Sequence, residues 1–545
     1  MKEQEYSTKE LEFGTGGLRG ILGEGPGRIN PDTIRKVTQG LADYIVEQGA
    51  GEKGVAIAYD SRRMSEEFAK EAALCLAANG IKAYVFDALR PTPELSFAVR
   101  RLGCTAGIVI TASHNPPQYN GYKVYWEDGA QITAPRDQEI IRKVRAVQEH
   151  SQIKTISLEQ ALAKGLYESI GKEIDDAYIE EIRKQIIHPK ILSKVADQIK
   201  IVYTPLCGTG SVLVPRILTM LGFRQIFVVP EQEKPDPEFS TLRLPNPEDP
   251  EAFTYAIRLA KEVEADIVLA TDPDADRLGM YCKDNKTGEY VAFTGNMSGM
   301  LMAEYILRER TAMGTMPKKP ALVTTIVTTD MTLPVTECYG VKRIEVLTGF
   351  KYIGEQIRLF EETGSYHYVF GLEESYGCLA GTYARDKDAC MAAACLCEVA
   401  AYCRQQGLTL WDMMQSMYEK YGYYWETQYT LTLEGEEAST RMGRIMEMLR
   451  RNPPAAFGTM EVQRIRDYES GWIQDVITGD MGQTDLPRSN VLYFELSGGS
   501  WCCVRPSGTE PKMKFYMGVK GESLKDARKK AEELTGCVKA LFAIV

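Results

Sequence analysis

Histidine is scarce in this chain: four among 545 residues, at His114, His150, His188 and His367. No G-x-S-x-G elbow is present, and His114 directly follows Ser113, where neighbouring side chains of an extended loop point apart. Both facts speak against a Ser-His-Asp hydrolase. None of the 13 cysteines forms a C-x-x-C pair, which speaks against zinc ribbons and thioredoxin-like redox motifs. Reduced, mostly buried thiols in a cytosol are the simplest expectation. Cys390, Cys395, Cys397 and Cys403, in DACMAAACLCEVAAYC, are expected to pack a helix rather than ligate a metal. Positive charge is also in deficit. The formal net charge is −11, which argues against bulk nucleic-acid binding but leaves room for small anions held by local arginines. No apolar run is long enough to span a bilayer. The polar start MKEQEYSTKELEF has no apolar h-region, so no signal peptide is expected.

What is present is an ordinary globular balance, 44% hydrophobic and 26% charged residues, in a chain long enough for several domains. Helical and strand-like stretches alternate from the start: TIRKVTQGLADYIVEQG, VAIAYD, SEEFAKEAALCLAANG, KAYVFD, PELSFAVRRLG, AGIVIT. This rhythm predicts a mostly parallel sheet covered by helices. It restarts near residue 192 with IKIVYTP and runs through DIVLATD, then again through ALVTTIVTT, RIEVLTG and YHYVFG. No clear sequence repeat accompanies it, so the likeness is architectural. After about residue 424 the pattern turns strand-rich, with a helix STRMGRIMEMLRRN and a final helix LKDARKKAEELTG. The expected organisation is α/β: three similar mixed-sheet domains over 1–191, 192–294 and 295–424, and a smaller α+β domain over 425–545, around a central cleft.

Thr111 to Lys123 read TASHNPPQYNGYK and follow the apolar run AGIVI. Pro116 and Pro117 stiffen this loop, which displays Ser113 at the end of a buried strand, where α/β proteins place their chemistry. Asp272, Asp274 and Asp276, in DPDADR, follow DIVLA. Three carboxylates so close repel one another unless a cation sits between them, and hard oxygen ligands at alternate positions suit Mg²⁺. An EF-hand fails, because the sixth position is Arg277 and the twelfth is Lys283. A solvated acidic loop is the plainer alternative. GLEESYG offers Glu373 and Ser375 for sugar hydroxyls, or is a surface turn; RDKD after it places Lys387 to face an anion or the next helix. RPSGTEP offers Arg505, Ser507, Gly508 and Thr509 as a phosphate cradle, or is an ordinary turn. FGTGGLRG, Phe13 to Gly20, is glycine-rich but lacks the G-K-[ST] of a Walker A loop. Gly49 to Gly54 match G-x-G-x-x-G, yet lie after a helix and before a strand, and read as a helix C-cap. Gly208-Thr209-Gly210 read as a tight turn.

Taken together, FGTGGLRG, TASHNPPQYNGYKVYWEDGAQ, DPDADR, LEESYG, RDKDA and RPSGTEP resemble, in order and wording, the α-D-phosphohexomutase superfamily. The likeness runs from Phe13 through Lys514 and is strongest to its bacterial phosphoglucomutase branch, which includes phosphopentomutase-like members. The resemblance implies a phosphosugar mutase, an isomerase in which Ser113 carries a phosphoryl group at rest. It implies one Mg²⁺ on Ser113, Asp272, Asp274 and Asp276, and Ser113, Lys123, Arg19 and His114 as the catalytic group. Lys123 would be the acid/base, with a pKa lowered by Arg19, or solely a phosphate-neutralising cation. Glu373, Ser375, Arg505, Ser507, Gly508, Thr509, Lys387 and Arg277 would bind substrate, with Arg62 and Lys351 as lesser contacts.

The implied reaction interconverts a hexose 1-phosphate and 6-phosphate, glucose by preference, through a bisphosphate that turns around in the cleft; glucose 1,6-bisphosphate would be intermediate and activator. Water exclusion by closure of the last domain would protect the phosphoserine. The expected partner is a small sugar phosphate, without nucleic acid or membrane, in the cytoplasm. Phosphopentomutase or phosphomannomutase activity, a metal-dependent phosphatase and a non-catalytic sugar-phosphate sensor are the alternatives.

Overall fold

Short apolar runs, buried on both faces, build the first sheet. The runs VAIAY and AGIVI are buried at every residue, as central strands under helices on both sides require. The computed structural model describes residue 11 and residues 17–433, 438–507 and 512–542. Residues 12–16 of the glycine-rich segment, together with Gly508 and Thr509, lie outside the described residues. The first sheet holds β1 (Leu18–Ile21), β2 (Val55–Tyr59), β3 (Ala83–Phe86), β4 (Ala106–Ile110), β5 (Tyr119–Trp126) and β6 (Tyr167–Ile170), in the order β1-β5-β4-β2-β3-β6. β2, β3, β4 and β6 run parallel, while β5 folds back antiparallel on β4 and also pairs with β1. Helices Pro31–Glu47, Ser65–Ala78 and Thr92–Leu102 pack against it. Asn30 caps the first of these: its Oδ1 accepts from Thr33 N–H at 3.0 Å, Thr33 Oγ1 accepts from Asn30 N–H at 2.9 Å, and Pro31 follows at N1.

The second sheet repeats the plan: β7 (Lys200–Thr204), β8 (Gln225–Val228), β9 (Ile267–Thr271), β10 (Leu278–Lys283) and β11 (Tyr290–Phe293), in the order β11-β10-β9-β7-β8. β7 is parallel to β8 and β9, and β9 and β10 form an antiparallel hairpin whose turn is DPDADR. A further hairpin, His367–Glu373 with Gly377–Ala380, carries LEESYG at its turn. The C-terminal portion is an antiparallel sheet backed by helices Ala438–Arg451 and Leu524–Phe542. Three successive α/β portions and a strand-rich last portion are the expected class. For their boundaries we keep the proposal 1–191, 192–294, 295–424 and 425–545. By contacts the chain groups into two compact units, Met1–Val323 with Gly349–Met413 and Thr324–Thr348 with Met414–Val545.

Helix Ala389–Gln405 buries Cys390, Cys395, Cys397 and Cys403 as unpaired thiols, and burial pushes all four up. Among the described residues no cysteine is in a disulfide, and all except Cys338 and Cys537 are buried. The packing expectation holds. No helix among the described residues is long and apolar enough to cross a membrane.

The same helix buries Glu398, whose Oε1 accepts from the backbone N–H groups of Ile187 (2.8 Å) and His188 (2.5 Å). Its Oε2 has no hydrogen-bond partner, and burial pushes the carboxyl up to about 7. Glu309, 2.8 Å from His188 Nε2, is a second acid of this cluster. A raised carboxyl pKa means the folded state holds a proton that the unfolded state releases. Stability is therefore full below the ordinary carboxylate range and declines as pH rises towards and past 7. Glu398→Gln keeps the acceptor and removes the charge. It is expected to match the parent near pH 4 and to exceed it by about 3 kcal/mol at pH 8 in urea unfolding.

Candidate active site

Three loops at strand ends come together within the first unit. The first leaves β4. Ser113 is 1% exposed and has φ +52°, left-handed for a non-glycine residue. Its N–H donates to Thr111 Oγ1 at 2.7 Å, and its Oγ donates to Asp272 Oδ2 at 2.8 Å. This turn corrects one expectation. The chain is not extended at Ser113, so the side chains of residues 113 and 114 do not point apart: His114 Nδ1 lies 3.1 Å from Ser113 Oγ.

The second loop closes the β9–β10 hairpin. Asp272, Asp274 and Asp276 are buried, with ligand oxygens all within 4.8 Å of one another. Backbone N–H groups of Asp276 and Arg277 donate to Asp272 Oδ1, both at 3.1 Å. Thr92, at the start of its helix, holds Asp274 twice: Oγ1 donates to Oδ2 at 2.8 Å and N–H to the backbone oxygen at 2.9 Å. The Gly208 turn packs beneath. Thr209 N–H donates to Pro273 O at 2.9 Å, and a Cβ on Gly208 would stand 2.4 Å from Pro273 Cα. Gly208→Ala is therefore expected to displace the aspartate loop. We expect a stability loss of about 1–3 kcal/mol in denaturant unfolding, with a larger proportional loss of turnover.

The third loop brings Glu373 and Ser375, and the segment after strand Gly377–Ala380 brings Lys387 beside them. Ser375 Oγ donates to Glu373 Oε1 at 2.8 Å. Lys387 Nζ lies 3.1 Å from Asp276 Oδ2, 3.2 Å from Asp386 Oδ1 and 3.9 Å from Glu373 Oε1, tying the carboxylate loop to the aspartate loop. Asp388, one residue on, caps helix Ala389–Gln405 through Met391 N–H at 2.8 Å. RDKD thus both faces the anionic cluster and caps the next helix.

Lys123, on β5, reaches the aspartates: Nζ is 2.8 Å from Asp274 Oδ2 and 3.5 Å from Asp276 Oδ2. Burial pulls its pKa down, but the two carboxylates outweigh burial and Arg19, leaving it above its ordinary value. The expected depression by Arg19 is not observed; the carboxylates are nearer partners. Burial and neighbouring aspartates push Asp272 well up, whereas Lys123 brings Asp274 down and Lys387 with Lys123 brings Asp276 down, each against burial. Arg19 Nη1 donates to Asn115 Oδ1 at 3.0 Å. Arg277 is engaged by Glu248 Oε1 at 2.7 Å and so braces the hairpin here. Lys351 is buried at the start of its helix.

Two carboxylate oxygens of the cluster are left without partners. Lys123 and Lys387 take the Oδ2 atoms of Asp274 and Asp276, yet the Oδ1 atoms of both are buried without a hydrogen-bond partner. Such oxygens are costly without a ligand. A cage of three carboxylates and a serine oxygen suits a hard divalent cation, and the residues fit Mg²⁺.

In the second unit, Arg505 on strand Ser500–Pro506 pairs with Lys514 on strand Lys512–Gly521, and Ser507 N–H donates to Lys512 O at 2.8 Å; the rest of RPSGTEP lies outside the described residues. Sequence reasoning missed Thr92, Thr111 and Asp60, and read Arg62 as a lesser ligand contact. Thr92 had a signal, since it opens a helix just after β3.

Ser113 is buried with its Oγ against three buried carboxylates on repeated mixed α/β sheets, an arrangement suited to phosphoryl transfer. Profiles of the phosphoglucomutase/phosphomannomutase family match in series: α/β/α domain I over residues 10–151, domain II over 176–287 and domain III over 294–421. A phosphoglucomutase of Staphylococcus aureus (strain MRSA252) is 36% identical over 531 residues, covering 97% of this chain and 93% of that protein. Among solved structures, a putative phosphomannomutase from Thermus thermophilus superposes with TM-score 0.70 at 21% identity, over 97% of this chain and 100% of that one. The open form of parafusin, a Paramecium phosphoglucomutase, gives 0.69 at 16% identity, over 98% and 96%. Both share the fold. The chain belongs to the phosphoglucomutase/phosphomannomutase family, within the α-D-phosphohexomutase superfamily.

Proposed function

We propose that this chain interconverts α-D-glucose 1-phosphate and glucose 6-phosphate through a phosphoserine at Ser113 and glucose 1,6-bisphosphate. The carrying observation is the 2.8 Å hydrogen bond from Ser113 Oγ to Asp272 Oδ2. It sets the displayed hydroxyl against the carboxylate cluster, as reversible phosphoryl transfer at that oxygen needs. One Mg²⁺ per chain, held by Ser113, Asp272, Asp274 and Asp276, would offset the charge of phosphoserine beside the carboxylates and steady the serine oxygen as leaving group.

The chain's own residues do the rest. Phosphoryl transfer is mainly positioning and charge stabilisation, and the rigid turn fixes Ser113 for it. Lys123, protonated between Asp274 and Asp276, stands ready to neutralise the incoming phosphate or exchange a proton with the attacking hydroxyl; Arg19 lines the same end. His114 Nδ1 orients Ser113 Oγ. Glu373 and Ser375 accept from and donate to sugar hydroxyls, and Lys387 links them to the transfer end. Arg277 joins them if it leaves Glu248. For Arg505, Ser507, Gly508 and Thr509 the proposal is phosphate binding, from the chemistry of a guanidinium, two hydroxyls and backbone N–H groups.

The free thiols accord with a cytoplasmic setting. A small sugar phosphate is the proposed partner, without nucleic acid. The test is direct. Protein isolated from cells should carry one phosphoryl increment on Ser113 by intact mass and peptide mapping. Given glucose 1-phosphate and a trace of the bisphosphate, it should form glucose 6-phosphate. Free phosphate as main product would indicate a phosphatase, and neither product a sensor. Rates on glucose, mannose and ribose 1-phosphates rank the sugars, with glucose expected first.

A further inference from the structure

Arg62 hydrogen-bonds to the backbone around Ser113 and not to its hydroxyl, and its side chain is completely buried. Its Nη2 donates to the backbone oxygens of Ser113 (2.5 Å) and Asn115, and its Nη1 to those of Pro116 (2.8 Å) and Tyr119 (3.0 Å). Its Nε lies 3.3 Å from Asp60 Oδ2, and its face rests on the Phe239 ring, 5.0 Å from the centroid. Asp60 accepts from Thr111 Oγ1 at 2.6 Å and Ser65 Oγ at 2.7 Å. Thr111 Oγ1 in turn accepts Ser113 N–H. The serine is thus gripped from both sides of its own backbone, its N–H through Thr111 and Asp60, its carbonyl through Arg62.

We infer that Arg62, with Asp60, is a positioning pair that fixes the Ser113 loop so that the phosphoserine meets a sugar hydroxyl and not water. The inference rests on the phosphoserine reading above. Four carbonyl oxygens converging on one point repel each other unless a donor array lies between them. A planar guanidinium offers such a fork, and a lysine ammonium, a compact point charge, does not span it. The grip also turns those oxygens towards Arg62, and a left-handed serine needs outside support to persist. A loosened loop would admit hydrolysis: a water oxygen bonds to phosphorus as the P–Oγ bond breaks, Ser113 Oγ takes a proton from that water, and inorganic phosphate leaves.

The test uses the full-length phosphoenzyme. Arg62→Lys keeps a charge beside Asp60; Asp60→Asn with Arg62→Met removes both charges and guards against a variant that fails to fold. For each, kcat and KM for glucose 1-phosphate are measured with the loss of phosphate from Ser113 to water. Arg62→Lys is expected to lower kcat about 10²-fold with KM changed less than about 3-fold, and to raise the ratio of hydrolysis to transfer about 10-fold or more. The double variant should shift that ratio the same way. A merely structural role would lower the folded fraction and leave the ratio unmoved; an unmoved ratio in whichever variant folds overturns the inference. Wild-type protein with no phosphate on Ser113 would overturn the reading beneath it, and the inference with it.

Discussion

Ser113→Ala is expected to lower kcat for sugar-phosphate isomerisation by at least about 10⁴-fold while leaving the fold in place. In the proposed mechanism the lost atom is the acceptor and donor of the phosphoryl group. Thr92 Oγ1 is no substitute, since it already donates to Asp274 Oδ2 and is held at the opening of a helix. The structural cost is small by comparison. The hydrogen bond to Asp272 and the contact with His114 Nδ1 disappear, together about 1–3 kcal/mol. Thr111, Asp60 and Arg62 still hold the backbone of residue 113. Thermal unfolding should therefore shift by only a few degrees while transfer disappears. Intact mass should show the variant without the phosphoryl increment. Turnover near the wild-type rate by Ser113→Ala would remove the phosphoserine from the mechanism.

Much of this site was legible because chemistry sits at strand ends and the strands announce themselves. AGIVI before TASHNP and DIVLA before DPDADR form buried strands, so the loops after them had to emerge at a sheet edge. Three carboxylates in five residues required positive charge; Lys123 and Lys387, expected against substrate, also sit among them. What was not legible depends on backbone turns or on contacts between distant segments. The approach of His114 to Ser113 follows from φ +52° at Ser113, which no residue type there demands. The height of the Lys123 pKa depends on which neighbour is closer, aspartate or Arg19, and spacing alone does not decide that. Arg62 lies in DSRRMSEEF beside a second arginine; Arg63 instead pairs with Glu238 at the surface. Only the fold distinguishes the two. Thr92, in RPTPEL, is marked only by its place at a helix start after a strand; nothing in the residues themselves points it at Asp274.

Removing the divalent ion carries the second large effect. A chelator is expected to lower turnover about 10³-fold or more, restored by Mg²⁺, because phosphoserine beside Asp272, Asp274 and Asp276 then faces uncompensated like charge. The protein itself should stay folded. Lys123 and Lys387 already pair with Asp274 and Asp276, and backbone N–H groups hold Asp272 Oδ1, so the emptied cage keeps part of its balance. Binding of the ion should nonetheless register without any turnover. Mg²⁺ at 100 times its dissociation constant stabilises the native state by about 2.7 kcal/mol, a rise of a few degrees in Tm. The Oδ1 atoms of Asp274 and Asp276, buried without hydrogen-bond partners, are the groups that gain most. Asp276→Asn leaves Asp274 its contacts with Lys123 and Thr92, so it should fold, yet its Tm should no longer respond to Mg²⁺. A wild-type Tm indifferent to Mg²⁺, or an Asp276→Asn variant that responds as strongly as wild type, would mean that the three carboxylates are balanced by lysines alone and that the cation acts elsewhere.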